Sequence, residues 1–488
     1  MSQTTGTQPK SVRSLVPARM DRLPWTRFHW SIVVGLGTAW ILDGLEIQMV
    51  SASGFQHALH MSSAQVGFTG TIYLVGQVIG ALVFGRLADR LGRKRFFILT
   101  LLVYLVGSGI AGFAPNMAFL WVFRFIAGLG IGGEYTAINS AIDELIPSHY
   151  RGRVDIAING TYWGGALLGA VANIFLLSSS HQAFSDNWGW RIGFFVGPVL
   201  GLIIIYLRRH IPESPRWQMT HGHEQAAEKT VDEIEDRIKG EGKTLDPDPV
   251  DDGKALEVRQ IASVSPIAIL KVFFRKYPRR AITTVVMFVT QSFLYNAIFF
   301  TYALVLKNFY HIGDPAIYFI PFAIGNLIGP LVLGHLFDTW GRRKMIFLTY
   351  GLSGAVLAVS AFLFSAGVLN ATTQTIFWCV AFFFASAGAS SAYLVASESF
   401  PIELRSQAIS YFFAIGQVAG AVAPLIYGIL VGNGSDRGPL FIGYLVGAAL
   451  MIIGGAVAFF VLGVDAERQS LEDIAEPLTK VGATVDGK

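Results

Sequence analysis

Gly85-Arg-Leu-Ala-Asp89-Arg-Leu-Gly92-Arg93-Lys94 returns later in the chain as Gly334-His-Leu-Phe-Asp338-Thr-Trp-Gly341-Arg342-Arg343. Each copy is a short charged loop between two long apolar runs. Loops of this kind make sense only if the runs cross a bilayer and the loops stay outside it. The composition agrees. Of 488 residues, 52 % are hydrophobic and only 14 % charged, with a mean hydropathy of +0.50. Soluble domains carry about a quarter charged residues. A soluble globular enzyme, a disordered chain and a secreted disulfide scaffold are thereby excluded. The single cysteine, Cys379, lies in an apolar run and reads as a packing residue.

A bilayer core of about 30 Å needs roughly 20 apolar residues per helix. Twelve segments qualify. Spans 1 to 6 are expected near 28–53, 62–84, 95–115, 117–142, 154–178 and 188–207. Spans 7 to 12 are expected near 280–303, 314–336, 344–366, 371–396, 404–430 and 438–464. In lipid the backbone must satisfy itself, so these are helices. The fold class is all-α: twelve transmembrane helices in two six-helix halves. The divisions are a tail at 1–27, a first half at 28–207, a linker at 208–279, a second half at 280–464 and a tail at 465–488. The basic first tail lacks a short apolar core with a cleavage site, so no signal peptide is expected.

Charge sets the orientation. The loop at 85–95 holds Arg86, Arg90, Arg93, Lys94 and Arg95, and the loop at 337–344 holds Arg342, Arg343 and Lys344. The loops at 54–62 and 366–373 hold no Lys or Arg. Positive loops remain in the cytoplasm, which places both termini inside a plasma membrane. The linker reads as a cytoplasmic connector with some surface helix. Its last part, Pro266 to Lys276, reads as an amphipathic helix on the membrane face.

A second pair of signatures repeats. Glu144 precedes Arg151 by seven residues, and Glu398 precedes Arg405 by seven. Duplicated halves imply a site between them. Asp89, Arg93, Glu144, Arg151, Asp338, Arg342, Glu398 and Arg405 read as gating residues: charges at helix–loop junctions can lock neighbouring helices and bias one conformation.

Ionisable residues inside spans are costly and point to function. Asp43 and Glu46 lie three apart on one face of span 1. Two carboxylates in a low dielectric repel, so at least one should bind a proton readily. Arg124 is seven residues into span 4, about 10 Å below its start. Glu134 follows the glycine run at 130–133 of the same span; it either lines the cavity or bonds to a neighbouring helix that the glycines let close. All ten histidines fall in tails, loops or span ends, which leaves proton work to carboxylates. No metal-ligand cluster or nucleophile–base arrangement occurs in the spans, so neither an enzyme nor a metal site is read.

The repeated G-x-L-x-D-x-x-G-R-[KR] loop resembles the signature of the major facilitator superfamily. Arg124-Phe-Ile-Ala-Gly128-Leu-Gly130-Ile-Gly132, Pro212-Glu213-Ser214-Pro215-Arg216 and Ser470-Leu471-Glu472-Asp473-Ile474 resemble motifs of its sugar-porter and metabolite:proton symporter branch. The Asp43-Gly44-Leu45-Glu46 run resembles span 1 of aromatic acid:proton symporters. The resemblance implies alternating access, with Glu46 paired to Arg124 when ionised and released by protonation.

Measured against the sugar porters, several positions depart. Thr290 stands for the first span 7 glutamine, while Gln291 and Asn296 keep their spacing. Asn159 stands for a glutamine and Tyr393 for a tryptophan. Asn159, Gln291, Asn296, Glu134 and the aromatic Tyr162, Trp163, Tyr295 and Tyr393 are expected at the substrate site. The function expected is proton-coupled symport of a small organic solute, an aromatic or other organic acid with Arg124 shared between proton and substrate. A sugar, an organic cation held by Asp43 and Glu134, or an uncoupled facilitator or nutrient sensor are the alternatives. No cofactor beyond the coupling proton is called for. The partners expected are a small-molecule substrate and the lipid bilayer, with no nucleic acid, and the chain is expected to be monomeric.

Overall fold

The computed structural model describes residues 11–51, 55, 58–177, 186–208, 211–247, 250–259, 265–313 and 315–478. Spans 1 to 4 are Arg27–Ser51, Ser63–Leu91, Arg93–Ala111 and Met117–Leu145, and span 6 is Asp186–Arg208. Spans 7 to 12 are Pro278–Tyr310, Phe319–Thr339, Arg342–Ser365, Ala371–Glu398, Arg405–Val431 and Gly438–Val461. These eleven helices are each long and apolar enough to cross a membrane.

Span 5 is the twelfth, and it is built in two pieces, Arg151–Gly160 and Tyr162–Leu177. The break falls at Thr161. Its hydroxyl donates back to the Ile158 carbonyl at 2.6 Å and lies 3.0 Å from the Gly37 carbonyl of span 1. Such back-bonding bends helices. Glycines then let the two spans touch. A Cβ on Gly44 would stand 2.0 Å from the Tyr162 carbonyl oxygen, and one on Gly165 would stand 1.8 Å from that of Ile41. Small residues at such crossings allow backbone-to-backbone packing in lipid.

The duplication shows in the packing. Span 1 packs on span 5, 2 on 4 and 3 on 6; equivalently, span 7 packs on 11, 8 on 10 and 9 on 12. The halves meet along spans 2 and 11 and along spans 5 and 8. These two seams are images of each other.

The tails and linker gather at the end of the bundle that carries the basic loops. Strand β1 (Ser11–Ser14) pairs antiparallel with β2 (Leu256–Arg259), joining the first tail to the linker. The linker helix Glu224–Gly240 docks on the same tail: Arg19 reaches Glu228, Asp232 and Glu235, and Arg22 reaches Glu235 at 2.7 Å. The segment at 266–276 is a short α-helix, Pro266–Lys271, continued by a π-helical turn, Val272–Lys276. The linker therefore has structure of its own.

Burial pushes the Glu235 carboxyl up, but Arg19 and Arg22 overcome this and hold it below the usual carboxylate range. A carboxylate held low stabilises docking above its unfolded value, and that contribution is lost as pH falls through the lowered one. Glu235→Gln is expected to weaken tail docking by about 2 kcal/mol, the worth of a charge-assisted contact. Trypsin cleavage at Arg19 and Arg22 should rise roughly thirtyfold at neutral pH. An unchanged cleavage rate would show that Glu228 and Asp232 alone hold the tail.

Candidate functional site

Span 1 presents its two carboxylates to different partners. Glu46 Oε1 accepts from Arg124 Nη1 at 2.7 Å, and both side chains are almost wholly buried. The Arg124 guanidinium also lies 4.1 Å above the Tyr73 ring and 5.6 Å from that of Phe194. Tyr104, Ser108 and Gly197 close the far side of Glu46. The Tyr104 hydroxyl has no hydrogen-bond partner among the described residues. The Ser108 hydroxyl is the side-chain donor that acts on Glu46 besides Arg124.

Asp43, one turn away, is held by hydroxyls rather than cations. The Tyr73 hydroxyl donates to its Oδ1 at 2.8 Å, and the Tyr135 hydroxyl donates to Oδ2. Tyr73 thus links the two acids: its ring receives Arg124 and its hydroxyl binds Asp43. Tyr135 in turn stacks on Trp40 with centroids 4.2 Å apart and planes 7° apart. Residues three apart, Trp40, Asp43 and Glu46, form one stripe of span 1. That stripe runs from the seam between the halves into the interior of the first half.

At the seam, Trp40 meets Tyr393 of span 10 edge-on at 5.8 Å and Tyr162 at 6.5 Å. Tyr393 packs on Phe288 and Phe413. A second aromatic group surrounds Trp163, with Tyr295 at 5.8 Å and Phe299, Phe319 and Phe322 about it. Tyr162, Trp163, Tyr295 and Tyr393 therefore all stand where the halves face each other. Gln77 and Gln417 meet across the seam at 3.3 Å. Below them Thr136 meets Ser410, and Ser140 meets Ser406, each at 3.2 Å.

The remaining substrate-site candidates are less central. Asn159 donates to Asn139 Oδ1 at 2.9 Å and to its own helix. Gln291 donates to Ser292, and Asn296 donates to the Ser292 carbonyl and faces Gly420 of span 11. Glu134 bonds to a neighbouring helix, the second of the two roles open to it. It is ion-paired to Arg208 of span 6 at 2.6 Å, with Arg208 also over the Phe97 ring. Successive helical residues point about 100° apart. Because Tyr135 faces Asp43 and the seam, Glu134 is turned into the first half.

The gating residues converge at the basic end. Asp338 accepts from the backbone N–H of Gly152 at 3.0 Å and of Arg153 at 2.8 Å, so an acid of the second half caps the start of span 5 in the first. Arg342 binds Asp338 at 2.7 Å and grips both oxygens of Glu398 at 3.0 Å. The Glu-x6-Arg signatures, expected to lock helices within each half, pair across the halves: Arg151 with Glu398 at 3.4 Å and Arg405 with Glu144 at 3.8 Å. Duplication explains the exchange, because equivalent acids and bases face one another about the two-fold. The side chains of Asp89 and Arg93 lie outside the described residues. Arg216 adds a tie from the linker to the last tail through Glu472 at 3.2 Å.

Sequence reasoning missed Trp40, Tyr73, Tyr135, Asp143, Asp155 and Gln417. Trp40 had a signal, since it sits three residues before Asp43 on the charged face of span 1. Asp155 had one too, as an ionisable residue inside the expected span 5, whereas Tyr73, Tyr135 and Gln417 differ from packing residues only through contacts with distant spans.

The profile of the "Sugar (and other) transporter" family matches residues 26–476. The chain belongs to that family of major facilitator transporters. It is 26 % identical over 462 residues to the niacin transporter NiaP of Acinetobacter baylyi, covering 94 % of this chain and 99 % of that one. It is 29 % identical over 476 residues to the putative metabolite transport protein YdjK of Escherichia coli, covering 94 % and 96 %. Among solved structures, the proton:xylose symporter XylE bound to 6-bromo-6-deoxy-D-glucose superposes with a TM-score of 0.74, at 18 % identity, covering 92 % of this chain and 98 % of that one. The inward-open form of XylE from E. coli scores 0.62 at 16 % identity, covering 91 % and 98 %. The transporter is thus a multi-pass membrane protein of this fold.

Proposed function

We propose that the transporter is a proton-coupled symporter of a small organic acid, working by alternating access in the plasma membrane with both termini cytoplasmic. The observation that carries this reading is the Glu46–Arg124 pair, buried in the span region. An ion pair of this kind is held together by charge and loses that attraction when the acid is protonated. Protonation of Glu46 leaves Arg124 without its anion, which favours the approach of a substrate carboxylate. Tyr73, Asp43, Tyr135 and Trp40 then connect the pair to the seam, where the substrate meets aromatic faces.

The aromatic character of that seam supports a planar or ring-bearing acid. Offset and edge contacts to Trp40, Tyr135, Tyr162 and Tyr393 suit such a ring. The niacin transporter among the relatives points the same way. The cationic-solute reading loses Glu134, which is spent on Arg208.

Reconstituted vesicles with a trapped pH dye test this reading. Protein-dependent acidification of the lumen is expected when an aromatic monocarboxylate is added, above the weak-acid leak of protein-free vesicles. Flux of labelled solute without a pH change would recast the protein as a facilitator. A response to sugars or organic cations alone would overturn the substrate class.

A further inference from the structure

Asp155 lies on the first turns of span 5, four residues beyond Arg151, and is wholly buried. Among the described residues no cation stands within 4 Å of its carboxylate, and the Asn159 amide is the side-chain donor that acts on it. This segment packs against spans 8 and 10 of the other half and against spans 1 and 4 of its own. The charges acting on Asp155 come from three of its neighbours: Asp143 of span 4, Glu398 of span 10 and Arg342 of span 9. Tyr393 of span 10 feels both Asp43 and Asp155. The Asn159 amide is shared, because its Nδ2 also donates to the Asp155 carbonyl and to Asn139.

The nearby cations are committed. Arg342 holds Asp338 and Glu398, Arg151 holds Glu398 and lies 3.9 Å from Asp143, and Arg405 faces Glu144. Five buried carboxylates (Asp143, Glu144, Asp155, Asp338 and Glu398) thus share three buried arginines, with the half-exposed Arg153 adding a contact to Asp338 alone. A buried carboxylate with one shared amide donor and no cation of its own is far costlier in such a place than the neutral acid.

We propose that Asp155 is a second protonation site, distinct from Glu46, which carries a proton while the basic end is closed and releases it as that end opens. Separating the halves would admit water to Asp155 and remove Glu398 from beside it, so the ionised form becomes affordable only in the open state. The sign follows. Proton binding favours closure at low pH, and rising pH favours opening. The limit for one proton is a tenfold change in the open-to-closed ratio per pH unit. The inference does not depend on Glu46 being the coupling acid.

The test uses full-length protein with Cys379→Ala and a reporter cysteine, Ser406→Cys, at the closed seam facing Ser140. Maleimide labelling is measured from pH 5.5 to 8.5 and divided by the rate at the exposed control Gln225→Cys, which removes the reagent's own pH dependence. With Asp155 present the normalised rate should climb steeply, by up to about tenfold per pH unit. With Asp155→Asn it should vary by less than about twofold across the range, and Asp155→Glu should restore the slope. A flat profile with Asp155 in place overturns the proposal without any variant at that position. An unchanged slope in Asp155→Asn also overturns it, as does a slope lost in Glu46→Gln but kept in Asp155→Asn.

Discussion

In vesicles carrying Glu46→Gln, uphill accumulation of the solute is expected to vanish while exchange of labelled for unlabelled solute continues. With one proton moved per solute, a gradient of one pH unit supports about tenfold accumulation, because each unit is worth about 1.4 kcal/mol. The variant should therefore fall from about tenfold to parity. Glutamine keeps the volume of the side chain and still offers an oxygen to Arg124, so the site stays filled. It cannot exchange a proton, so the empty carrier returns without regard to the gradient. Tenfold accumulation retained in Glu46→Gln would remove Glu46 from the coupling step.

The companion change at Arg124 should behave differently. Arg124→Leu leaves Glu46 buried without its cation and favours its neutral form permanently. The Tyr73 ring also loses the guanidinium stacked 4.1 Å above it, and Tyr73 is the residue that binds Asp43. Both uphill accumulation and substrate binding are expected to weaken. Glu46→Gln should weaken only the first. Measuring binding by tryptophan quenching at Trp40 and accumulation in vesicles separates the two. Equal loss of binding in both variants would mean that the pair merely props the fold.

The parts of this molecule that were legible in the sequence are those written in one-dimensional rules. Bilayer thickness fixes span length, so the twelve spans could be counted, and repeated loops exposed the two halves. Glu46 and Arg124 were legible because ionisable groups are rare inside spans and each needs a partner. Glu134 was not, because its partner Arg208 stands where span 6 runs into the charged linker and reads as an ordinary interfacial residue. The direction of the Glu144, Arg151, Glu398 and Arg405 pairing was hidden for a different reason. Sequence spacing ranks near neighbours first, whereas a two-fold arrangement brings each residue to the image of its neighbour. The role of Asp155 was hidden in the same way. Its meaning comes from spans 9 and 10, which lie more than 180 residues away.

Asp338→Asn should open the basic end. The carboxylate makes four contacts at once: it accepts two backbone N–H groups at the start of span 5, binds Arg342, and meets the Arg153 side chain at 3.4 Å. A helix N-terminus favours negative charge, and here that charge is supplied by the opposite half. Asparagine brings one oxygen and an NH2 group that would face donors. A loss of about 3 kcal/mol is expected, within the range for breaking one side of a buried ionic contact. That corresponds to roughly a hundredfold shift in the open-to-closed ratio. Labelling of Ser406→Cys should accelerate accordingly, and the maximal transport rate should fall because closure on this side becomes the difficult step. Gly152→Leu attacks the same contact from the other half, since even its Cβ would stand 2.2 Å from Arg342 Nη1 and 2.5 Å from Asp338 Oδ1. If both changes break one contact, the double variant should open scarcely further than either alone. Strict additivity, or labelling that stays slow in Asp338→Asn, would place the lock elsewhere. The Arg405–Glu144 pair at 3.8 Å would then be the first alternative, because it joins the halves through spans 11 and 4 and does not involve span 5.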